Sequence, residues 1–282
     1  MVSISKISDA FERSRAQRRA ALIPYIAAGN PLPESTVPLM HQLVAAGADV
    51  IELGVPFSDP MADGPIIQRA AEHAISQGVG LKDVLKVVSE FRKTDEQTPI
   101  VLMGYANPIE RMGQQAFVEK AAEAGVDGVL VVDYPPEEAA QFVDLLGQHD
   151  MAPIFLLAPT STDERIAAVG KLAKGYVYYV SLRGVTGAGH LNTDEVASQL
   201  AKIRQHVTIP VGVGFGISDA QSASRVAEVA DAVVIGSKLI DVMNKAWQVV
   251  PVGEQTDVAV TAGHDWLKGI RHALDQVNKQ PA

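Results

Sequence analysis

The chain has 282 residues, 47% hydrophobic and 20% charged, with a net charge of −9 and no cysteine. That balance belongs to a globular chain with a sizeable core, and without cysteine a disulfide framework and thiolate chemistry are excluded. The acidic balance, with no long run of one sign, argues against nonspecific nucleic-acid binding, and no apolar stretch approaches the ~18–20 residues of a membrane-spanning helix. The opening MVSISKISDAFERSRAQRRA is basic but carries Asp9 and Glu12 and lacks a long apolar core. It reads as neither a secretion signal nor a transit peptide, so the expected location is the cytoplasm. Ile4, Ile7 and Phe11 recur at helical spacing and predict a short amphipathic helix packed on the domain.

Eight short apolar runs follow: 21–28, 49–53, 99–104, 127–132, 153–158, 176–181, 209–214 and 231–236. Most lack clean polar alternation, the pattern of parallel strands buried on both faces. Between them lie helical spacings at 36–47, 116–125, 137–149, 163–175 and 193–205, more than one helical piece in 66–93, and a last helix at 257–279. Thr162 and Asp163 precede one of these helices and Gly175 follows it, as helix ends prefer. Eight strand–helix units most simply close into an α/β (β/α)8 TIM barrel with additional short helices. An open doubly wound sheet is the alternative, but that fold more often places a Gly-rich fingerprint after its first strand, where this chain has AAGNPLP. No linker or low-complexity tract divides the sequence, so residues 1–282 are expected to form a single barrel domain.

Active sites of such barrels lie at the C-terminal ends of the strands. In IELGVPFSDPMADGP (51–65), Glu52 sits inside an apolar run. Strand alternation puts Ile51 and Leu53 on the helix-facing side and Glu52 inside the barrel. A desolvated carboxylate there would have a raised pKa suited to proton transfer, while a structural acid paired with Arg or Lys is an equal reading from placement alone. Asp63, before a Gly, reads by itself as turn chemistry. Three Gly-rich strand ends, 183–190, 211–216 and 235–238, favour a phosphate site, with Ser237 opening a short helix. No strand interior carries a Lys for a Schiff base, the seven His show no metal-ligand spacing, and no nucleotide-binding P-loop is present. These residues point to a phosphorylated substrate and carboxylate acid–base chemistry, with no metal and no organic cofactor of the chain's own.

IELGVPFSDPMADGP closely resembles the signature of the tryptophan synthase α subunit family. PYIAAGNP, MGYANP, GVLVVDYPPEE, APIFLLAPTS, YVYYVSLRGVTGAG, VGVGFGI and IGSKLI follow in the family's order, so the resemblance covers nearly the whole chain. It implies a phosphate-binding (β/α)8 barrel and a lyase of tryptophan biosynthesis, cleaving indole-3-glycerol phosphate to indole and glyceraldehyde 3-phosphate. By resemblance, Glu52 matches the catalytic glutamate, Asp63 the aspartate near the indole nitrogen, and Tyr178 the tyrosine beside them. Gly184, Gly216, Gly236 and Ser237 match phosphate-binding positions, and Tyr25, Met103, Leu130 and Leu156 match the indole pocket. Residues 182–194 are expected to form a lid in which Thr186 reaches Asp63. The resemblance also implies a β-subunit partner carrying pyridoxal phosphate, in an α–β–β–α heterotetramer. Surface candidates for that interface are Pro56, Asp59, Asn107, Pro108, Asp133 and Pro135, although turn formation alone would account for each Pro and Asp. Tyr25 stands where some members carry Phe, and Met103-Gly104 where others carry Leu-Met.

Overall fold

The computed structural model describes residues 5–181, 193–214, 216–251 and 253–277. Eight parallel strands close into a barrel in sequence order: β1 (Ala21–Ala27), β2 (Ile51–Gly54), β3 (Ile100–Gly104), β4 (Gly128–Val131), β5 (Ala152–Leu157), β6 (Val177–Val180), β7 (Val211–Gly214) and β8 (Ala232–Ile235). Closure is made by β8 against β1, with Ala21 opposite Ala232 and Ile23 opposite Val234.

The helices are α1 (Ser5–Ala16), α2 (Thr36–Ala45), α3 (Pro65–Ser76), α4 (Leu81–Arg92), α5 (Ala106–Met112) and α6 (Gln114–Ala124), then α7 (Ala140–Gln148), α8 (Asp163–Leu172), α9 (Thr193–Ile203), α10 (Ala220–Ala227), α11 (Ser237–Trp247) and α12 (Gln255–Asp275). Each expected helix is present, and 66–93 splits into α3 and α4 as its spacing predicts. The Thr162 side chain caps α8 by accepting from Arg165 N at 3.3 Å. Two helices, α5 and α10, lie outside the expected spacings, and in α5 Asn107 and Pro108 belong to a helix rather than to a turn. Pro108 falls in its first turn, where the missing N–H has no intrahelical acceptor to lose.

Alternation along the strands divides the core in two. Leu22, Ile26, Ile51, Leu53, Leu102, Val129, Phe155, Tyr179, Val213 and Val233 face the helices. Ala21, Ile23, Val50, Val101, Leu130, Ala152, Ile154, Tyr176, Ala232 and Val234 fill the barrel interior, together with Ile7, Ala10 and Phe11 of α1. Burial on both faces explains why the strand sequences show no polar alternation. It also makes α1 a plug for the end of the barrel at which the strands begin.

An Asp just before each of three strands ties the start of the barrel together. Asp49, Asp127 and Asp231 accept the backbone N–H of Leu22, Ile100 and Val211 at 2.8, 2.8 and 2.9 Å. Arg19 pairs with Asp49 at 2.7 Å and Arg92 with Asp127 at 2.5 Å. These charges neutralise carboxylates that would otherwise be partly buried alone. Among the described residues no helix is long and apolar enough to cross a membrane.

Candidate active site

Glu52 lies on β2 in register with Tyr25 on one side and Val101 on the other, and it is fully buried. The Tyr176 hydroxyl donates to its Oε1. Oε2 is equally buried and has no hydrogen-bond partner. Burial pushes the carboxyl up to about 8, with the Tyr176 bond pulling the other way and no cation contributing. The pairing with Arg or Lys that a structural acid requires is therefore not found among the described residues. What the interior holds instead is a carboxyl half satisfied by a phenol and half open.

Tyr176 and Tyr178 bracket Val177 and so share the inward face of β6. Room for the upper ring comes from β7: a Cβ on Gly214 would collide with the Tyr178 hydroxyl. Gly54 makes the same room for the Tyr25 hydroxyl, and a Cβ on Gly236 would stand 3.1 Å from the Tyr25 ring. The charges of Glu52 and Asp63 raise the pKa of both phenols, after the larger effect of burial. Tyr25, Tyr178 and the two acids thus face one space.

Asp63 sits half-buried in the turn before α3, whose first residue is Pro65. Tyr105, immediately after β3, donates its hydroxyl to Asp63 Oδ2 at 3.1 Å and accepts Ala62 N at 3.1 Å. The Asp63 carbonyl accepts Gln68 Nε2 at 2.8 Å, and the Tyr105 ring lies 5.3 Å from that of Phe57. Residues 55–64, the loop after β2, are therefore held by the residue that follows the neighbouring strand. Burial pushes the Asp63 carboxyl up to about 6, opposed by the Tyr105 bond.

Met103 and Leu156 are half-buried beside Tyr178 at the upper edge of the interior core. Leu130 belongs to the same interior cluster and is fully buried. At the far side, Gly236 precedes α11 and Ser237 is its first residue, presenting free backbone N–H groups at a helix start. Gly216 adopts φ +75°, in the left-handed region. Gly212 and Gly214, grouped by their sequence with the phosphate loop, are inward positions of β7 flanked by Tyr176 and Tyr178. Gly184, Thr186 and the expected lid up to residue 192 lie outside the described residues.

The proposed interface positions separate. Asp59 and Asn107 are exposed, and Pro108, Asp133 and Pro135 half-buried. Pro56 corrects the surface expectation: although it lies in the loop after β2, it is buried. Asp133 has an internal task, accepting Ala106 N at 2.7 Å and so capping the start of α5. Among the described residues no group of three or more His, Cys, Asp or Glu is placed to hold a metal ion.

Sequence reasoning missed Tyr176 and Tyr105. The first was detectable: period two makes Tyr176 share the face of Tyr178, and that face already holds Glu52. The second carried no local signal, because its contact with Asp63 spans 42 positions of sequence.

The family model described as tryptophan synthase alpha chain matches residues 11–263. The tryptophan synthase alpha chain of Bordetella bronchiseptica is 64% identical over 283 aligned positions, covering 100% of this chain and 99% of that one. That of Cupriavidus taiwanensis is 59% identical, covering 96% and 100%. The crystal structure of tryptophan synthase subunit alpha from Legionella pneumophila superposes with a TM-score of 0.89 at 43% identity, over 96% of this chain and 99% of that chain. Matched in fold, in full-length sequence and across the segments that carry Glu52 and Asp63, the chain belongs to the tryptophan synthase alpha chain family.

Proposed function

We propose that this chain cleaves indole-3-glycerol phosphate to indole and D-glyceraldehyde 3-phosphate, as the alpha subunit of tryptophan synthase in L-tryptophan biosynthesis. The observation that carries the reading is the buried Glu52 carboxyl, with one oxygen held by Tyr176 and the other free. The retro-aldol step needs a proton delivered to indole C3 and another removed from the adjacent carbinol. With its pKa near 8, Glu52 is largely protonated at neutral pH and donates the first. The resulting carboxylate takes the carbinol proton through its free oxygen. The C–C bond electrons return to the ring as the aldehyde forms, and Glu52 ends protonated as it began.

Asp63, with its pKa near 6, is mainly ionised at pH 7. It accepts the indole N–H and stabilises positive charge developing on the ring when C3 is protonated. Tyr178 orients the ring between the acids, while Tyr25, Met103, Leu130 and Leu156 supply its apolar surroundings. Gly184, Gly216, Gly236 and Ser237 hold the phosphate with backbone N–H groups. Glu52 and Asp63 supply the acid–base chemistry that proton transfer and C–C cleavage require, and the chain is read as carrying no cofactor of its own. Pyridoxal phosphate belongs on the β subunit.

We further read residues 1–282 as one catalytic domain of an α–β–β–α heterotetramer in the cytoplasm. Asp59, Asn107, Pro108, Asp133 and Pro135 face the β subunit, and Thr186 closes over Asp63. Indole release from indole-3-glycerol phosphate, measured with and without β, tests the activity. No release by the wild-type chain under either condition would overturn it.

A further inference from the structure

Three elements that diverge from the site are strapped together away from it. The loop after β1 carries Asn30, which is 2% exposed. Its Nδ2 donates to Asn244 Oδ1 on α11 at 3.1 Å. The same oxygen accepts Trp247 Nε1 at 2.9 Å. The Trp247 ring stacks on His73 of α3, centroids 5.5 Å apart and planes at 28°. His73 Nε2 lies 2.8 Å from Pro31 O, and since a carbonyl only accepts, this nitrogen carries the hydrogen. Gln77 of α3 adds a donation from Nε2 to Pro31 O at 3.1 Å.

The consequence lies in where the two helices begin. α3 starts two residues after Asp63, and α11 starts at Ser237. His73 and Asn244 are each about two turns further along, roughly 10–12 Å at 1.5 Å rise per residue. A helix is stiff over that distance, so fixing α3 against α11 fixes the separation of their N-terminal ends. One end holds the group facing the indole nitrogen and the other the N–H groups facing phosphate.

We propose that the Asn30–Asn244–Trp247–His73 strap is a positioning device that sets the span between the indole end and the phosphate end of the site, with Asn244 as its central residue. This rests on the indole-glycerol phosphate reading given above. None of the four side chains is among the groups assigned to the substrate above, and each is engaged with the others or with Pro31 O. Their effect is to make the two half-sites act on one molecule together, so that phosphate binding energy orients the reacting carbon.

A device of this kind has a signature that general loosening lacks. Ligands that occupy one half-site are indifferent to the span, whereas a ligand that bridges both loses the advantage of linkage when the span drifts. The probes are glycerol phosphate, which fills only the phosphate end, and 3-(indol-3-yl)propyl phosphate, which bridges both ends and lacks the carbinol needed for cleavage. Titration calorimetry on Asn244→Leu should show glycerol phosphate affinity within about twofold of wild type and indolylpropyl phosphate affinity down about tenfold. Asn244→Asp keeps an oxygen for both donors and should bind the bridging ligand as wild type does. Should Asn244→Leu not fold, Trp247→Phe removes the N–H together with half of the indole, leaves a smaller aromatic ring beside His73, and must shift the bridging affinity alone in the same direction. The strap is overturned if bridging affinity is unchanged, if glycerol phosphate affinity falls by the same factor, or if Asn244→Asp behaves like Asn244→Leu. If wild type binds the bridging ligand no better than glycerol phosphate, the indole half-site itself is misassigned.

Discussion

The chemistry concentrates on one carboxyl that the fold keeps out of water, and that has consequences for stability as well as turnover. Glu52→Gln preserves size and the acceptor for Tyr176 but cannot transfer a proton. Cleavage should fall by ~10²–10⁴-fold, read as indole release by protein that still binds glycerol phosphate. The buried acid also carries a pH signature of unusual sign. Unfolded, it ionises near 4.5, as an ordinary glutamate does; folded, at about 8. Between those values the folded state binds more protons, so this contribution to stability falls as pH rises and levels off above about 8. The window is worth a few kcal/mol, roughly 1.4 kcal/mol per pH unit, and Gln abolishes it. Urea unfolding of both proteins at pH 5 and pH 8 should show Glu52→Gln gaining on wild type as pH rises. Parallel pH dependences would mean that Glu52 is not buried as an acid. At the opposite side of the site, Gly216→Val puts a branched side chain on backbone at φ +75°. It should weaken glycerol phosphate binding and cost about 1–2 kcal/mol of stability besides. Ser237→Ala leaves the helix-start N–H groups in place and should do much less to binding.

At the scale of elements, β7 shows that one short run can serve two purposes. Gly212 and Gly214 alternate onto the barrel interior, but they face different neighbours. A Cβ on Gly212 would first meet the Val234 side chain at 3.3 Å, a crowded contact that a shift of a few tenths of an ångström relieves. A Cβ on Gly214 would collide with the hydroxyl of Tyr178. Gly214→Ala should therefore cost about 1–3 kcal/mol, as overpacked cores do, and lower kcat by displacing the ring, while Gly212→Ala should be markedly milder. Equal melting temperatures for the two variants would count against this account. The same run marks how far sequence could be read. All eight strands were legible because double-sided burial leaves continuous apolar runs, and Glu52 stood out because it interrupts one. The meaning of the β7 glycines was not legible, since a glycine that frees backbone for an anion and one that frees space for a ring look alike until the partner strand is known. α5 was hidden for a related reason: Asn107 and Pro108 carry turn propensity, and what secures the helix is Asp133, which caps Ala106 N from across 27 positions. Pairings over such distances are set by closure of the barrel, which no local window contains.

The molecule as a whole is a barrel with its ends put to different uses. Where the strands finish, the interior opens to Asp63, Tyr178 and the start of α11. Where they begin, α1 closes it with Ile7 and Phe11, which are 1% and 5% exposed. The two ends are not independent, because a single ring joins them. Phe11 lies 5.7 Å from Tyr176, and Tyr176 holds Glu52. The plug at the bottom is thus the backing of the acid near the top. Phe11→Ala should cost about 3–5 kcal/mol, the usual range for removing a buried aromatic side chain, and the cavity should open directly behind Tyr176. The loss should then reach catalysis in a specific way. Freed to tilt, Tyr176 holds the carboxyl less well, so kcat should drop several-fold, whereas glycerol phosphate affinity, assigned above by proposal to Gly216 and the start of α11, should not. Tyr176→Phe separates the packing from the bond: it keeps the ring against Phe11 but removes the donor that lowers the Glu52 pKa. Its stability should fall far less, and its pH–rate profile should move to higher pH. Urea unfolding and pH-resolved indole release on the two variants decide the matter. If Phe11→Ala lowers stability with kcat intact, the plug and the acid are mechanically separate, and α1 serves the fold alone.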